Sequence, residues 1–242
     1  LIQRGFRPSR IQTIYNGLDF SVDTPEFDRG EYLRQCGLNY QEGDVVMGIA
    51  ARLTPVKDIP TLLRAFAKAR KKNNRLKLLI AGDGEDAQKL KDLARQLEVD
   101  SACCFCGWVS DIGKFFKACD IDVLCSISES FPYSILEGVK EGCAVITSDV
   151  GGMQKLIDSG EDGFIFQPGD VETFAGYMLR LARDPDLRQS FGQKLREKAS
   201  RIYSLDGMAA RQSQIYQTIA ARQARGKRNG IVICGAYGRA NS

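Results

Sequence analysis

The sequence predicts an α/β fold, a doubly wound parallel sheet of Rossmann-like type with helices on both faces. Three observations predict it. Short apolar runs alternate with helix-length amphipathic stretches along most of the 242 residues. The apolar runs are continuous rather than alternating, as strands covered on both faces require. Several of them end in turn residues that lead straight into a helix, the rhythm of strand–turn–helix units.

The elements follow in order. "VVMGIAARL" (45–53) reads as a buried strand and "IPTLLRAFAKARK" (59–71) as its helix. "LKLLIAGDG" (76–84) is a strand ending in a glycine-rich turn, and "AQKLKDLARQLE" (87–98) is a helix. "SACCFCGWV" (101–109) is a strand and "IGKFFKA" (112–118) a short helix. "DIDVLCSI" (120–127) is a strand, followed by a helix from about Pro132 to Gly142. "CAVITSDVGG" (143–152) is a strand with a glycine turn, and "MQKLIDSG" a short helix. Helices then occupy roughly 170–184, 186–203 and 205–225. The stretch before residue 45 is less regular, with "IQTIYNGLDF" reading as an extended segment and turn. "RQARGKRNG" (222–230) is a basic linker, and "IVICGAYGRANS" begins a fresh strand. The expected organisation is a linker and edge segment over 1–44, the main domain over 45–225, and a linker with a new strand over 226–242. A chain that opens at Leu1 and ends on a new strand is expected to be part of a longer protein.

Composition excludes several classes. With 43% hydrophobic and 26% charged residues, the chain is an ordinary soluble globular one. A net charge of +4, from 34 Lys+Arg against 30 Asp+Glu, is too mild to argue for nucleic acid. No run has the length of a membrane-spanning helix, and the first residues are no signal peptide. The eight cysteines (Cys36, Cys103, Cys104, Cys106, Cys119, Cys125, Cys143, Cys234) fall mostly in apolar runs. They read as reduced thiols of a cytoplasmic protein. With no histidine in the chain and no paired Cys-x-x-Cys, a zinc site is not expected. The missing histidine also excludes Ser-His and Cys-His dyads from this chain.

In a parallel sheet the loops beyond the carboxyl ends of the strands share one rim, where such folds bind ligands. That places "TPVKD", "AGDGED", "CGWVSD", "SESFP" and "SDVGG" together. In "SISESFPYSILEGVKEG" (126–142), Glu129 precedes a helix and Glu137 lies inside it. Pro132 suits the first helical position and Ser130 a cap before it, so the helix N-terminus offers a seat for a phosphate. Either carboxylate suits the paired hydroxyls of a sugar or ribose. A solvated glutamate pair is the plainer reading of the same residues. Arg52 at a strand end and Lys57 at a helix start can reach a diphosphate over that rim. "AGDGED" has one Gly-x-Gly but lacks the third glycine and distant acid of a dinucleotide site, and the Gly-Lys-Ser/Thr of a P-loop.

Taken in order, "IYNGLD", "ARLTPVKD", "LLIAGDGE", "FCGWV", "ESFPYSILEG" and "SDVGGMQKLI" with "GFIFQPGD" resemble family 4 glycosyltransferases. These are retaining enzymes, and the likeness is to the carboxy-terminal, nucleotide-sugar-binding half of their GT-B fold. It covers about residues 10–220, and the Glu-x7-Glu pattern makes it specific. The resemblance implies that Arg52 and Lys57 bind the donor diphosphate and stabilise the leaving group. It implies that Glu129 contacts the donor sugar and that Glu137 grips the ribose hydroxyls. Phe131, Pro132, Tyr133 and Ser134 match the loop whose amides meet sugar and phosphate. Trp108 and Val109 match the segment whose backbone reads the base. The implied partners are a nucleotide-diphosphate sugar and the amino-terminal GT-B domain, with no cofactor and no metal. The implied setting is cell-surface polysaccharide or glycolipid synthesis, at the inner face of the membrane.

The chain departs from that family in three places. Ala51 and Asp58 stand where the family has glycine, and Lys155 in "GGMQKL" stands where it has glutamate. Asp58 is expected to oppose phosphate binding beside Lys57. Without the amino-terminal domain, the chain is expected to bind donor poorly and transfer little sugar. A non-catalytic nucleotide-sugar-binding or structural module is the alternative reading. The tail "GIVICGAYGRANS" resembles the first strand and glycine turn of polysaccharide pyruvyl transferases, implying a second fused enzyme.

Overall fold

A computed structural model describes residues 5–221 and the backbone of 222–224 and 232–235. Strand β1 (Ile11–Ile14) and helix α1 (Arg29–Gln35) come first. The strand–helix alternation then runs β2 (Val45–Ala50), α2 (Ile59–Arg70), β3 (Leu76–Ala81), α3 (Ala87–Gln96), β4 (Cys103–Gly107) and α4 (Ile112–Lys117). It continues with β5 (Ile121–Leu124), α5 (Tyr133–Lys140), β6 (Ala144–Ser148), α6 (Met153–Leu156), β7 (Phe164–Phe166) and α7 (Val171–Arg183). Helices α8 (Pro185–Ile202) and α9 (Leu205–Ala224) follow, then β8 (Val232–Gly235). No helix among the described residues is long and apolar enough to cross a membrane.

Strands β4-β3-β2-β5-β6-β7 form one parallel sheet in that order, as the alternation predicts. The order reverses direction between β2 and β5, which makes the crevice above them the switch point of the sheet. Alternation along the strands divides the core. Val45, Met47 and Ile49 face α2, α3 and α7, with Leu62, Phe66 and Phe174 buried among them. Val46 and Leu79 face the other way, onto Leu33 of α1 and onto Phe115 and Phe116 of α4. Helices α5 and α8 cover Leu124 and Val145 on that same side. Phe66 is fully buried, and truncating it to alanine should cost about 3–5 kcal/mol.

Two elements were not legible in the sequence. Helix α1 starts because the Asp28 carboxylate accepts from the Glu31 N–H at 2.8 Å, a cap hidden in a polar stretch. Strand β7 is three residues long and supplies the outer edge. One local expectation is corrected. Pro132 is the N-cap of α5, in extended conformation, and not its first helical residue; no side chain caps the helix, so Ser130 has no such role. Strand β8, the start of the tail's expected strand, pairs parallel with β1 from Ile11 to Ile14 as a separate two-stranded sheet. The rest of that tail and Cys234's side chain lie outside the described residues.

The amino-terminal segment is tied to the same rim. Leu18 exchanges backbone hydrogen bonds with Tyr203 and Leu205, both 2.9 Å, at the junction of α8 and α9. Tyr15 then lies against Phe131 and Tyr203, with ring centroids 5.0 and 5.8 Å away.

Candidate active site

A cleft of about 580 Å³ lies above the switch point. Its walls come from the ends of three strands and from α5: Arg52 after β2, Asp83 after β3, Trp108 to Ser110 after β4, and Ser134 and Glu137 of α5. The volume is that of a small-ligand site. The loops that shape it pass closer than a side chain would allow. A Cβ on Gly82, whose φ is +121°, would stand 1.9 Å from the Ala51 carbonyl oxygen. This explains "AGDGED" without a dinucleotide: the glycine lets the β3 loop pack on the β2 loop.

Five of the residues expected to bind ligand line this cleft: Arg52, Trp108, Val109, Ser134 and Glu137. Arg52 is exposed, and its guanidinium makes no ion pair or hydrogen bond to a described side chain. Trp108 is 85% exposed, so its ring is open to stack on a flat ligand rather than holding the core. Glu137 is half-buried, and burial pushes its carboxyl above the ordinary range, with Lys140 pulling it partly back.

Lys57 and Glu129 form a pair in the adjoining loops. The Lys57 ammonium donates to Glu129 Oε1, which also accepts the Ser126 hydroxyl at 2.8 Å. The two loops are laced together: Ile127 N–H donates to the Val56 carbonyl at 2.9 Å, and the Cys125 thiol to the Lys57 carbonyl at 3.1 Å. Gly151 closes the arrangement from the third side, since a Cβ there, at φ +56°, would strike the Ser130 carbonyl oxygen at 2.4 Å. Glu129 is therefore held by two donors before any ligand contact.

The remaining residues of the loop have divided tasks. Phe131 is buried and packs on Tyr15 and Tyr203, so its side chain supports the loop and does not face the cleft. Its carbonyl accepts from Asn16 Nδ2 at 2.6 Å. Pro132 is half-buried, Tyr133 is exposed, and the first N–H groups of α5 receive no capping side chain. Those N–H groups carry the positive end of the helix dipole. Sequence reasoning assigned no role to Asn16, Ser126, Asp83 or Ser110. Asn16 sits inside "IYNGLD", which was a usable signal; the other three are polar loop residues with none.

Asp58 adopts a left-handed conformation, φ 48° and ψ 41°, between the turn that carries Lys57 and α2. That conformation gives the physical reason a glycine would suit this position. Lys155 lies in α6, where Tyr203 Oη donates to its carbonyl at 2.8 Å. Beneath α5, Asp122 is buried against Gly138, and neither carboxyl oxygen makes a hydrogen bond of normal geometry. Burial first, and the charge of Glu137 second, push the Asp122 carboxyl well above the ordinary range.

A parallel six-stranded sheet with a cleft at its switch point, edged by Arg52 and Glu137, defines the class: a Rossmann-like α/β domain. The structure of HepE from Anabaena in complex with UDP-glucose has the same fold, with a TM-score of 0.79 and 25% identity over 91% of this chain and 60% of that one. The pattern of the glycosyl transferases group 1 matches residues 37–198, and the chain belongs to that family. It is 30% identical over 181 residues to UDP-Gal:α-D-GlcNAc-diphosphoundecaprenol α-1,3-galactosyltransferase of Escherichia coli, covering 73% of this chain and 46% of that protein. It is 25% identical over 217 residues to N-acetyl-α-D-glucosaminyl L-malate synthase of Bacillus anthracis, covering 90% and 56%. The chain thus spans about half the length of these curated relatives.

Proposed function

We propose that this chain is the donor-binding part of a retaining, family 4 glycosyltransferase that uses a nucleotide-diphosphate sugar. The observation that carries the reading is the rim itself. Arg52 and Glu137 edge one cleft of ligand size, while Lys57 and Glu129 stand paired in the loops beside it. On this reading the base lies along Trp108 and Val109, and the ribose hydroxyls donate to Glu137. The diphosphate meets Arg52, Lys57 and the α5 N–H groups of the Tyr133–Ser134 turn. The sugar reaches Glu129.

The reaction needs stabilisation of negative charge on a departing diphosphate. Fixed cations and a helix N-terminus supply that charge without reorganising during the step. Glu129, already bound to Lys57 and Ser126, holds the sugar in place and takes no proton. The acceptor attacks on the face the leaving group vacates, which retains configuration at the anomeric carbon. The acceptor's own site belongs to an amino-terminal domain, so this chain alone is expected to bind donor weakly and to transfer little. The parent's setting is polysaccharide or glycolipid synthesis, in keeping with the name of the E. coli relative, which includes a diphosphoundecaprenol acceptor. On this reading the parent would work in the cytoplasm at the inner membrane face, and the tail's likeness to pyruvyl transferases would add a second enzyme to it.

The test is a thermal-shift and calorimetric screen of nucleoside diphosphates and their sugars on the full-length parent. Binding of one diphosphate that is lost in Glu137→Ala supports the reading. A chain that binds none of them, with Arg52 and Glu137 intact, would instead be a structural module.

A further inference from the structure

Three thiols meet at the edge of the sheet, next to the cleft and outside the residues used above. Cys104 and Cys106 lie on β4, the edge strand, and Cys36 ends α1. The Cys106 thiol donates to Cys104 Sγ at 3.9 Å, and the Cys104 thiol to the Cys36 carbonyl. All three are half-buried, open enough to be reached by a small reagent. By contrast, Cys119, Cys125 and Cys143 are buried.

The backbone gives Cys106 no partner on β3. Ile80 pairs with Phe105 and Ala81 with Gly107, so the β3–β4 ladder skips Cys106. It is the extra residue of a β-bulge, without a partner in the ladder. Two residues apart on a strand, the Cys104 and Cys106 Cα atoms are separated by at most about 6.8 Å, within the span of a disulfide. Closing 3.9 Å to a bond takes a side-chain rotation and a small shift of the bulge. The hydrogen bond received from Cys106 holds the Cys104 thiol below its ordinary range, opposed by burial and assisted by Lys91. Of the pair, Cys104 is the sulfur that receives a hydrogen bond, and it becomes the attacking one once the proton it gives to the Cys36 carbonyl is lost.

The bulge is joined to the cleft. Gly107, at φ +65°, follows Cys106, and its carbonyl accepts from the Gly82 N–H at 2.7 Å. Trp108 and Val109 come next and line the cleft, while Val109 and Ile112 also pack in the core cluster that holds Cys104 and Cys106. A pull on Cys106 is thus passed to the wall that the proposed function assigns to the base.

We propose that Cys104 and Cys106 are the two halves of a reversible disulfide, formed by a hydroperoxide and reopened by a dithiol, that displaces the Trp108–Val109 wall of the cleft. The Cys104 thiolate attacks the peroxide, takes one oxygen to become a sulfenic acid, and releases the alcohol or water. The Cys106 thiol then attacks that sulfur; its proton leaves with the sulfenic hydroxyl as water and the S–S bond forms. Two thiols lose two electrons and two protons, and the peroxide takes up both. A dithiol returns them by exchange.

The test treats the reduced chain with hydrogen peroxide, then with dithiothreitol. Intact mass should fall by two hydrogens per chain and return on reduction, and the chain's one tryptophan, Trp108, should change its emission in step. Cys104→Ser and Cys106→Ser should each lose both effects, while Cys36→Ser and Cys103→Ser keep them. The effect on the cleft rests on the proposed function, and UDP is the probe: the oxidised chain should bind it about tenfold more weakly, the equivalent of one hydrogen bond. If the reduced chain binds no UDP, the mass and the Trp108 emission alone decide this proposal, while the diphosphate screen on the full-length parent decides the donor-binding reading. No bridge, a bridge through Cys36 or Cys103, or a bridge that leaves Trp108 emission unchanged would overturn it.

Discussion

Lys57 and Glu129, 72 positions apart in sequence, close an ion pair in which Glu129 Oε1 also accepts the Ser126 hydroxyl. Both side chains are more than three-quarters buried, at 21% and 13% exposure, so water screens the pair only partly. Each residue therefore sets the position of the other, and their loss should not add.

The first prediction measures that coupling. Lys57→Ala, Glu129→Ala and the double variant form a cycle in which residues sharing one ion pair typically couple by about 0.5–3 kcal/mol. Glu129→Ala should leave the affinity for a nucleoside diphosphate nearly unchanged, because on the proposed reading the freed ammonium would still meet the phosphates, while turnover of the full-length parent falls. Lys57→Ala should lose diphosphate affinity. Additive single effects within about 0.3 kcal/mol would mean that the pair has no energetic reality.

Glu137 should behave differently, because it lies inside α5 and edges the cleft. Removing a hydrogen bond made by a charged group costs about 1.5–3 kcal/mol, or roughly tenfold to a hundredfold in affinity. Glu137→Ala should weaken nucleoside diphosphate and nucleotide sugar by similar factors. Calorimetric titration of both glutamate variants with the free diphosphate decides the matter: a larger loss for Glu129→Ala reverses the assignment.

Asp58 offers a gain rather than a loss. Its left-handed backbone costs about 1–2 kcal/mol for most residues and less for aspartate, while its charge at the start of α2 returns about 0.3–1 kcal/mol. Asp58→Gly should therefore leave stability within about 1 kcal/mol. Taking a negative charge from beside Lys57 should tighten diphosphate binding about two- to fivefold, a surface-charge effect of up to about 1 kcal/mol. Weaker binding in this variant would show that Asp58 helps to seat the ligand.

The sheet and its rim were readable because their signals are local and repeated. Continuous apolar runs set the strands, and the turns after β2, β3 and β4 put Arg52, Asp83 and Trp108 around one crevice. What the sequence could not show depends on contacts between distant residues. The Lys57–Glu129 pair, the Asn16 bond to Phe131 and the burial of Phe131 under Tyr15 and Tyr203 all join segments far apart in the chain. The cap of α5 failed for another reason: Pro132 can serve at the N-cap as well as one residue later, and only the backbone angles separate the two. Asp122 was invisible as a polar group because its neighbours Ile121 and Val123 made the run look like any buried strand.

Metal dependence is the fourth point. Arg52, Lys57 and the α5 N-terminus supply the positive charge that the proposed reaction needs. The sequence, expected to lack Asp-x-Asp, has two such runs, Asp120–Asp122 at the start of β5 and Asp184–Asp186 at the start of α8, and neither lines the cleft. Diphosphate binding and transfer by the full-length parent should be unchanged by a chelator. Loss of activity with chelator and recovery with manganese would count against it.

The last prediction concerns Asp122, which is buried beneath α5 and unpaired. In the unfolded chain an aspartate ionises around 3.8, whereas in the fold burial and Glu137 hold this carboxyl protonated to well above that value. Between those two values the native state carries the extra proton, so stability is full below pH 3.8 and falls as pH rises. The steepest slope one group can give is about 1.4 kcal/mol per pH unit. Glu137, shifted in the same direction, adds a smaller slope of the same sign. Asp122→Val keeps the size of the side chain, suits a strand and removes the proton from the balance. The variant should be more stable than the parent sequence at pH 7, and the difference should shrink on approaching pH 4. Urea unfolding at a series of pH values measures both curves. Curves that run parallel would show that Asp122 is ionised in the fold and that a partner or bound water satisfies it.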